Sequence, residues 1–435
     1  RPMLNDMSDT YICIIVTQRT LVNQQFVIPV TMLSQEHSLQ YIHSREYITM
    51  KTNRSLPIQI DDQGHLILPP EILRQYGLAP GSTARLSVSE QGLRISRPLS
   101  SLARVYIEPT NVCNFDCRTC MRNAWDEPLG FMERDTFQRI LQGIREIDPR
   151  PVVFFGGIGE PLAHPGIREM VITAHETGAR VELITNATLL DGSTAAWMVA
   201  SGLHRLWVSI DGATPESYED VRLGDALPQV IENIARLQEM RKASKSSSLK
   251  LGIAFVAMKR NIADLPKVIR LGHQLGADRF SISNVLPHTP ELREQILFAR
   301  SMDESGMQQT PWFPKAVLPR IDLDEMTFRH LSSVLRGCTV EQAPQPFFSR
   351  GFSSCPFVEK GSISIRWDGA ASPCIPLMHT HTSYLGENQR TSRAYAVGNV
   401  QERPLMALWN QPEYASLRER LQEFDFSPCV FCNSC

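Results

Sequence analysis

The chain has almost no net charge. Across 435 residues, 44 basic side chains face 46 acidic ones, a formal charge of −2. That balance supplies no field to gather nucleic acid or an anionic membrane as a main partner. No apolar run approaches the roughly 20 residues that a bilayer span needs, so no membrane partner is expected. The start, Arg1-Pro2, opens no basic, apolar, small-residue signal pattern, although a removed targeting segment is compatible with it. Nor are cysteines spread as a disulfide framework would spread them. The ten that are present bunch in short spacings, which reads as metal ligation in a reducing compartment, the cytoplasm. The 42% apolar content is ordinary for a globular protein, and the length suits about two to four domains.

Cys113, Cys117 and Cys120 carry the most information. They are spaced C-x3-C-x2-C in TNVCNFDCRTCMR, just after an apolar, strand-like stretch at 105–109. Three thiolates can hold one face of a cubic iron–sulfur cluster and leave one iron without a protein ligand. An open iron can bind and activate a molecule, whereas a four-cysteine site is closed and mainly carries electrons. A structural zinc site is the alternative reading of the three cysteines taken alone.

Residues 1–55 give little periodic signal. A stretch at 11–16 reads as a buried strand, with Cys13 a plain core residue inside it. Residues 56–98 read as a small β-rich unit: a strand at 58–60, a turn at Asp62-Gln63-Gly64, and a strand at 65–68. A short helix then opens at Pro69-Pro70 and stops at Gly77, and two more strands flank Gly92. From residue 103 the pattern becomes a β/α alternation. Strand-like runs at 104–108, 152–155, 181–185, 206–210, 251–256 and 280–283 alternate with amphipathic stretches at 135–147, 167–177, 193–200, 228–241 and 265–275. Six such units predict an α/β fold, a partial (βα)6 TIM-like barrel with its site at the strands' C-terminal ends. The alternation is expected to stop near Pro287. From Cys338 the tail is richer in Cys, Gly and Pro and reads as metal-stapled. The expected divisions are 1–55, 56–98, 103–290 and 338–435.

Polar motifs sit where the predicted strands end. GGIGEP at 156–161 has glycines that let backbone approach a bound amine, and Glu160 adds an acceptor; a turn made only for packing is the alternative. TNAT at 185–188 offers small polar groups suited to a ribose or carboxylate. In SIDGATPESYEDVR at 209–222, Ser209 and Asp211 are expected to point into the barrel mouth. With the C-x3-C-x2-C run, these motifs make residues 103–290 resemble the radical S-adenosylmethionine (SAM) enzymes. The resemblance implies a 4Fe–4S cluster on Cys113, Cys117 and Cys120, with the SAM amine and carboxylate on the open iron. It implies one-electron cleavage of SAM to methionine and a 5′-deoxyadenosyl radical, the cofactor carrying the hard step. Carried over by position, Gly156, Gly157 and Glu160 hold the amino group. Asn186, Ser209 and Asp211 serve the ribose or carboxylate, and Arg222 pairs with the carboxylate. A small reductant such as ferredoxin or flavodoxin is implied too. The family often has an aromatic residue before its third cysteine; here it is Thr119, and Phe115 is no obvious substitute for adenine stacking.

In the tail, Cys355, Gly369 and Cys374 resemble the opening of a SPASM domain, and Cys429, Cys432 and Cys435 form C-x2-C-x2-C. With Cys338 the tail offers six thiols, against four for one 4Fe–4S cluster and eight for two. That supports one complete auxiliary 4Fe–4S cluster with two spare thiols, or two with at least one under-ligated; a zinc knot is the alternative. His379 and His381 read as loop residues. Residues 56–98 resemble an AbrB-type swapped hairpin in the run DDQGHLILPPEILRQYGLAPGSTARLSVSEQGLRI. Arg74, Arg85, Arg94 and Arg97 are balanced there by Asp61, Asp62, Glu71 and Glu90. A neutral module lacks the charge that drives DNA affinity, so a docking or homodimerising role is expected and DNA is not. Together with CRTCMRNAWDEPLG at 117–130 and FVAMKRNIADLP at 255–266, the chain resembles the maturases associated with tungsten-cofactor oxidoreductases. That implies action on a tungsten-containing oxidoreductase, its cofactor or a small partner peptide. The rivals are a peptide modifier forming thioether or carbon–carbon crosslinks and a non-catalytic iron–sulfur redox-sensing regulator. GGIGEP and SIDG speak against the regulator, which has no need of a SAM pocket.

Overall fold

The computed structural model describes residues 13–14, 59–63, 65–78, 82–84, 86–89, 92–244, 247–297, 316–317, 321, 324–336, 355–385 and 387–423. Two units divide the chain, 1–72 with 85–96, and 73–84 with 97–435. The first contains β1 (Cys13–Ile14), β2 (Gln59–Ile60), β3 (Leu66–Ile67), β4 (Leu86–Ser89) and β5 (Gly92–Ile95). β2 and β3 form an antiparallel hairpin whose turn is tied by Asp61 Oδ1, which accepts the Gln63 and His65 amides at 3.0 and 2.7 Å. β4 and β5 form a second hairpin, and β1 joins β5. Between the hairpins runs helix α1 (Pro70–Gln75), and Gly77 follows it with φ +64°. The order read at 56–98 is the order observed.

The second unit is built on a ten-stranded sheet. β6 (Arg104–Ile107), β7 (Val152–Phe155), β8 (Val181–Thr185), β9 (Arg205–Ser209), β10 (Lys250–Ala257) and β11 (Arg279–Asn284) lie side by side in chain order, all parallel. α2 (Arg134–Arg145), α3 (Ile167–Glu176), α4 (Gly192–Ala200), α5 (Pro215–Arg222), α6 (Leu227–Ala243) and α7 (Leu265–Gln274) connect them. Val105, Ile107, Val153, Phe155, Val181, Leu183, Leu206, Val208 and Ile253 are fully enclosed, as strands covered by crossover helices must be. α2 shows why a helix forms on this sheet: Phe137, Ile140, Leu141 and Ile144 recur at helical spacing and all face the core. α8 (Pro290–Arg293) then leads to β12 (Ala316–Val317), parallel to β11, and to α9 (Glu325–Arg336). Among the described residues the alternation thus runs beyond Pro287, with one two-residue strand and two helices. Among the described residues no helix is long and apolar enough to cross a membrane.

The tail joins the same sheet. After α10 (Pro356–Glu359), β13 (Ser362–Ile365) lies parallel to β6, Ser362 opposite Arg104 and Ile365 opposite Ile107. β14 (Ala370–Ser372) returns antiparallel through a turn that Gly369 completes at φ +86°, a conformation that costs a residue with a Cβ. β15 (His381–Leu385) and β16 (Asn388–Ser392) make a separate hairpin, and β17 (Gly398–Asn399) pairs with β14. α11 (Leu405–Trp409) and α12 (Pro412–Glu423) are the last of the described elements. Fully buried Trp409 donates from its indole to Ser100 O at 2.8 Å. The Arg418 guanidinium lies 3.8 Å from the centroid of that indole and donates to Leu99 O and Trp409 O. Residues 99–100 lead into β6, so the tail's last helices fasten the strand that opens the barrel.

Deleting residues 338–435 should therefore strip β13 from β6 and bare an edge at the centre of the sheet. Insoluble or aggregated protein is the expected outcome in size-exclusion chromatography; a soluble, monomeric 1–337 fragment would contradict it.

Candidate active site

Because β6 to β11 are parallel, the segments following them emerge at one edge of the sheet. The cysteine loop leaves β6 and is closed at its base. Thr110 Oγ1 donates to Gly130 O at 2.6 Å, Asn111 Nδ2 donates to Pro128 O at 2.9 Å, and Asn111 Oδ1 accepts the Gly130 amide at 2.8 Å. Inside the loop, Cys117 O accepts the Cys120 amide and Asn123 Nδ2. Arg118 donates its amide to Val221 O and its guanidinium to Asp220 O and Glu291, which ties the loop to α5 and α8. Cys117 is buried, and Cys113 and Cys120 are half-buried; none of the three is in a disulfide.

Two side-chain donors reach these sulfurs, and the Phe115 amide donates to Cys113 Sγ at 3.4 Å. Asn186 Nδ2, at the end of β8, lies 4.0 Å from Cys113 Sγ and donates to Asn114 Oδ1 at 2.9 Å. Arg222, the last residue of α5, donates from Nη1 to Cys117 Sγ at 3.6 Å. Its Nη2 pairs with Asp211 Oδ2 at 2.5 Å, and its Nε has no partner among the described residues. Burial disfavours the Arg222 charge, but Asp211, Cys117 and Tyr218 outweigh that and hold its pKa above the ordinary value. Burial raises the Cys113 thiol and pushes Cys120 up to about 11. Ligation would displace those protons.

The sequence-predicted residues separate into two kinds. Asp211 is fully buried, accepting the Val256 amide at 2.7 Å and facing Arg222. Glu160 is buried as well: Oε1 accepts Leu162 N and the Thr185 hydroxyl at 3.0 and 2.7 Å, and Oε2 accepts Asn186 N at 2.8 Å. Burial lifts its pKa, against those three hydrogen bonds and the Arg222 charge. Both carboxylates are thus engaged with protein groups. Ser209, at the end of β9, is only half-buried. Gly156 and Gly157 stand in the turn after β7. A Cβ on Gly157 would meet Glu108 Cγ at 2.7 Å, and one on Gly159 would meet Thr110 O at 2.2 Å. The close approach that demands glycine at those two positions is to protein atoms, with Gly159 packed on the cysteine loop itself.

Two features escaped sequence reading. α5 has a start signal in Thr214-Pro215-Glu216-Ser217: Thr214 accepts the Ser217 amide, and Ser217 Oγ accepts the Thr214 amide. That helix puts Tyr218, Val221 and Arg222 on the site's side. His379 lies in the loop before β15, as expected, but its side chain is fully buried. Its Nδ1 lies 2.6 Å from Glu127 Oε2, and its Nε2 lies 2.9 and 3.0 Å from the Glu108 oxygens. No pattern in the sequence pairs those three residues.

In the tail, Cys355 and Cys374 both lie within electrostatic reach of the Tyr414 hydroxyl, so the fold brings them to one neighbourhood. Cys338, Cys429, Cys432 and Cys435 lie outside the described residues, as does the side chain of Cys13. Among the described residues no three His, Cys, Asp or Glu side chains are grouped as ligands of a single metal ion. A cubane makes a different demand, since each thiolate takes its own iron at a separate corner. Three loop thiols beside one buried cation and one amide donor fit that group.

Comparison with known proteins gives the radical SAM superfamily over residues 107–253 and the SPASM iron–sulfur cluster-binding domain over 355–435. A tungsten-containing aldehyde ferredoxin oxidoreductase cofactor-modifying protein of Pyrococcus furiosus is 28% identical over 331 residues, 76% of this chain and 86% of that one. An AdoMet-dependent heme synthase of Methanosarcina barkeri is 30% identical over 182 residues, 41% of this chain and 50% of that one. The crystal structure of Streptococcus suis SuiB bound to S-adenosylmethionine shares the fold, with a TM-score of 0.50 at 18% identity over 77% of this chain and 73% of that one.

Replacing Arg222 with Met should leave Asp211 buried without its counter-charge and cost about 3–5 kcal/mol. The D211N/R222M double variant should lose clearly less than the two single losses added together. Denaturant unfolding of all three variants measures this; strict additivity would show that the pair is not coupled.

Proposed function

We propose, on the premise that this chain is a radical SAM enzyme with a SPASM domain, that it reductively cleaves SAM and serves as a maturase. Its object would be a tungsten-containing oxidoreductase, that enzyme's cofactor or a small partner peptide. The observation that carries the reading is the meeting of three loop thiols with Asn186 and Arg222 at one sheet edge. The likeness to the P. furiosus cofactor-modifying protein along most of both chains supports the choice of object. When bound, the cluster supplies the electron that splits the S–C5′ bond of SAM and yields the 5′-deoxyadenosyl radical.

The chain's own residues position and exclude. Cys113, Cys117 and Cys120 would hold the cluster, and Arg222 keeps a positive charge beside Cys117. Glu160 locks the 156–161 turn to the end of β8 through the Thr185 hydroxyl and the Asn186 amide. We assign Glu160 and Asp211 to holding the pocket's frame, because their oxygens are engaged internally. The backbone of Gly156 and Gly157, with Asn186 and Ser209, remains for SAM. Cys355 and Cys374 would ligate an auxiliary cluster together with cysteines outside the described residues. A ferredoxin- or flavodoxin-like reductant would supply electrons, in the cytoplasm. For residues 56–98 we favour docking or homodimerisation, since Ile60, Ile67 and Leu86 stand about half or more exposed on a neutral unit.

Anaerobic incubation with SAM and dithionite should yield 5′-deoxyadenosine, and the C113A/C117A/C120A variant should yield none. Turnover by that variant would refute the cluster assignment. The C355A/C374A variant should cleave SAM yet give no matured product. Iron after reconstitution should be about 8 per chain for one auxiliary cluster and about 12 for two. Mass analysis of the partner captured anaerobically separates the readings: a tungsten oxidoreductase or its cofactor supports maturation, and a crosslinked peptide supports the rival enzyme.

A further inference from the structure

His379 comes from the tail, five residues after Cys374, yet its ring lies between two segments of the barrel. Each ring nitrogen faces a carboxylate, Nδ1 at 2.6 Å from Glu127 and Nε2 at 2.9 Å from Glu108. A neutral imidazole has one N–H and one lone pair. With a carboxylate at either end, one contact would set a lone pair against an anion. Both contacts are hydrogen bonds when the ring carries two protons. Burial opposes that charge, and Glu108 and Glu127 outweigh it, so the His379 pKa lies above its ordinary value. The Trp125 ring packs on the imidazole with centroids 4.2 Å apart. Of the other charged groups nearby, Arg366 lies 3.5 Å from Glu127 Oε2 and is paired with Asp368. His381 is pushed toward its neutral form by burial.

Each carboxylate also holds backbone. Glu108 Oε1 accepts the Ile158 amide at 3.1 Å, in the middle of GGIGEP. Glu127 Oε1 accepts the Thr380 amide at 2.7 Å and sits in the arm that closes the cysteine loop. We propose that His379 is a positioning residue of the SAM pocket: its imidazolium, supplied by the tail, holds Glu108 against the 156–161 turn and, through Glu127, ties the arm that closes the cysteine loop to the tail. This rests on the reading of that turn as the SAM-binding turn. The barrel's pocket is then complete only when the tail is docked. A folded-state pKa above the unfolded value of about 6.5 means that the clasp is fully made below that pH. It is lost as pH rises through the higher folded value.

Hydrogen exchange of the cluster-free, full-length protein tests the clasp without any turnover. In H379Q the Ile158 and Thr380 amides should exchange about tenfold faster than in wild type at pH 7, after correction for intrinsic rates. E127A should free Thr380 and leave Ile158 protected. In the loaded protein, SAM affinity of wild type should fall at alkaline pH, whereas H379Q should bind weakly with no alkaline limb. Wild-type protection of Ile158 in H379Q, or an unchanged alkaline limb, overturns the proposal. If H379Q does not fold, E127A decides: unchanged Thr380 exchange overturns it, and selective loss there supports it. Absence of 5′-deoxyadenosine from the wild-type enzyme would instead count against the proposed function and leave the exchange result standing.

Discussion

A parallel ladder four residues long, β13 against β6, is what the rest of the site depends on. Its direction decides where things end up. Both strands run toward the same edge, so the loop after β6 and the turn after β13 leave the sheet side by side. Gly361 O accepts the Ala103 and Arg104 amides at one end, and Ile365 O accepts the Glu108 amide at the other. That last bond fixes Glu108 one residue past the ladder, with its side chain fully enclosed. A carboxylate in such a place is costly unless charge and hydrogen bonds meet it. The same ladder brings the tail's His379 to meet it.

The site follows one rule: charge is buried only where it is answered. Asp211 is answered by Arg222 and the Val256 amide, Glu160 by two amides and a hydroxyl, and Glu108 by His379 and the Ile158 amide. Each answer comes from a different element, so these groups tie α5, the turn after β7, the end of β8 and the tail into one frame. Such networks gain less in net stability than in definition of a single arrangement. For a site that must hold a reactant in one pose, a single arrangement is the useful property.

How legible this was follows from the range of the interactions. The six barrel strands could be read because apolar runs and 3.6-residue periodicity are local, and the strand ends then located Cys113, Asn186 and Ser209 without any tertiary knowledge. Gly369 was legible by its spacing from Cys355 and Cys374, and its positive φ gives the reason. α5 was less visible, since eight residues with Ser, Asp and three Glu or Tyr neighbours show little apolar stripe; its cap was the better sign. β12 is too short to carry a period at all. His379 was illegible in principle. Its partners lie 252 and 271 positions away, and a histidine between Met378 and Thr380 carries no local sign of them. For the same reason the contacts of Glu160 with the Thr185 hydroxyl and Asn186 amide, and of Asp211 with the Val256 amide and Arg222, could not be read, since only the fold supplies those neighbours.

The β6–β13 ladder also sets an order of events during synthesis. Roughly 250 residues separate its two strands. At about 5–20 residues per second, tens of seconds pass between the emergence of one and the other. Through that interval β6 can pair with β7 on one side but has nothing on the other. A bare edge invites pairing with a second nascent chain. The brevity of β6, four residues with Arg104 at its start, limits what a wrong neighbour could gain from it. The same interval keeps Glu108 and Glu127 waiting for His379, so the segments on either side of the cysteine loop are joined to the tail only once residues near 379 have been made.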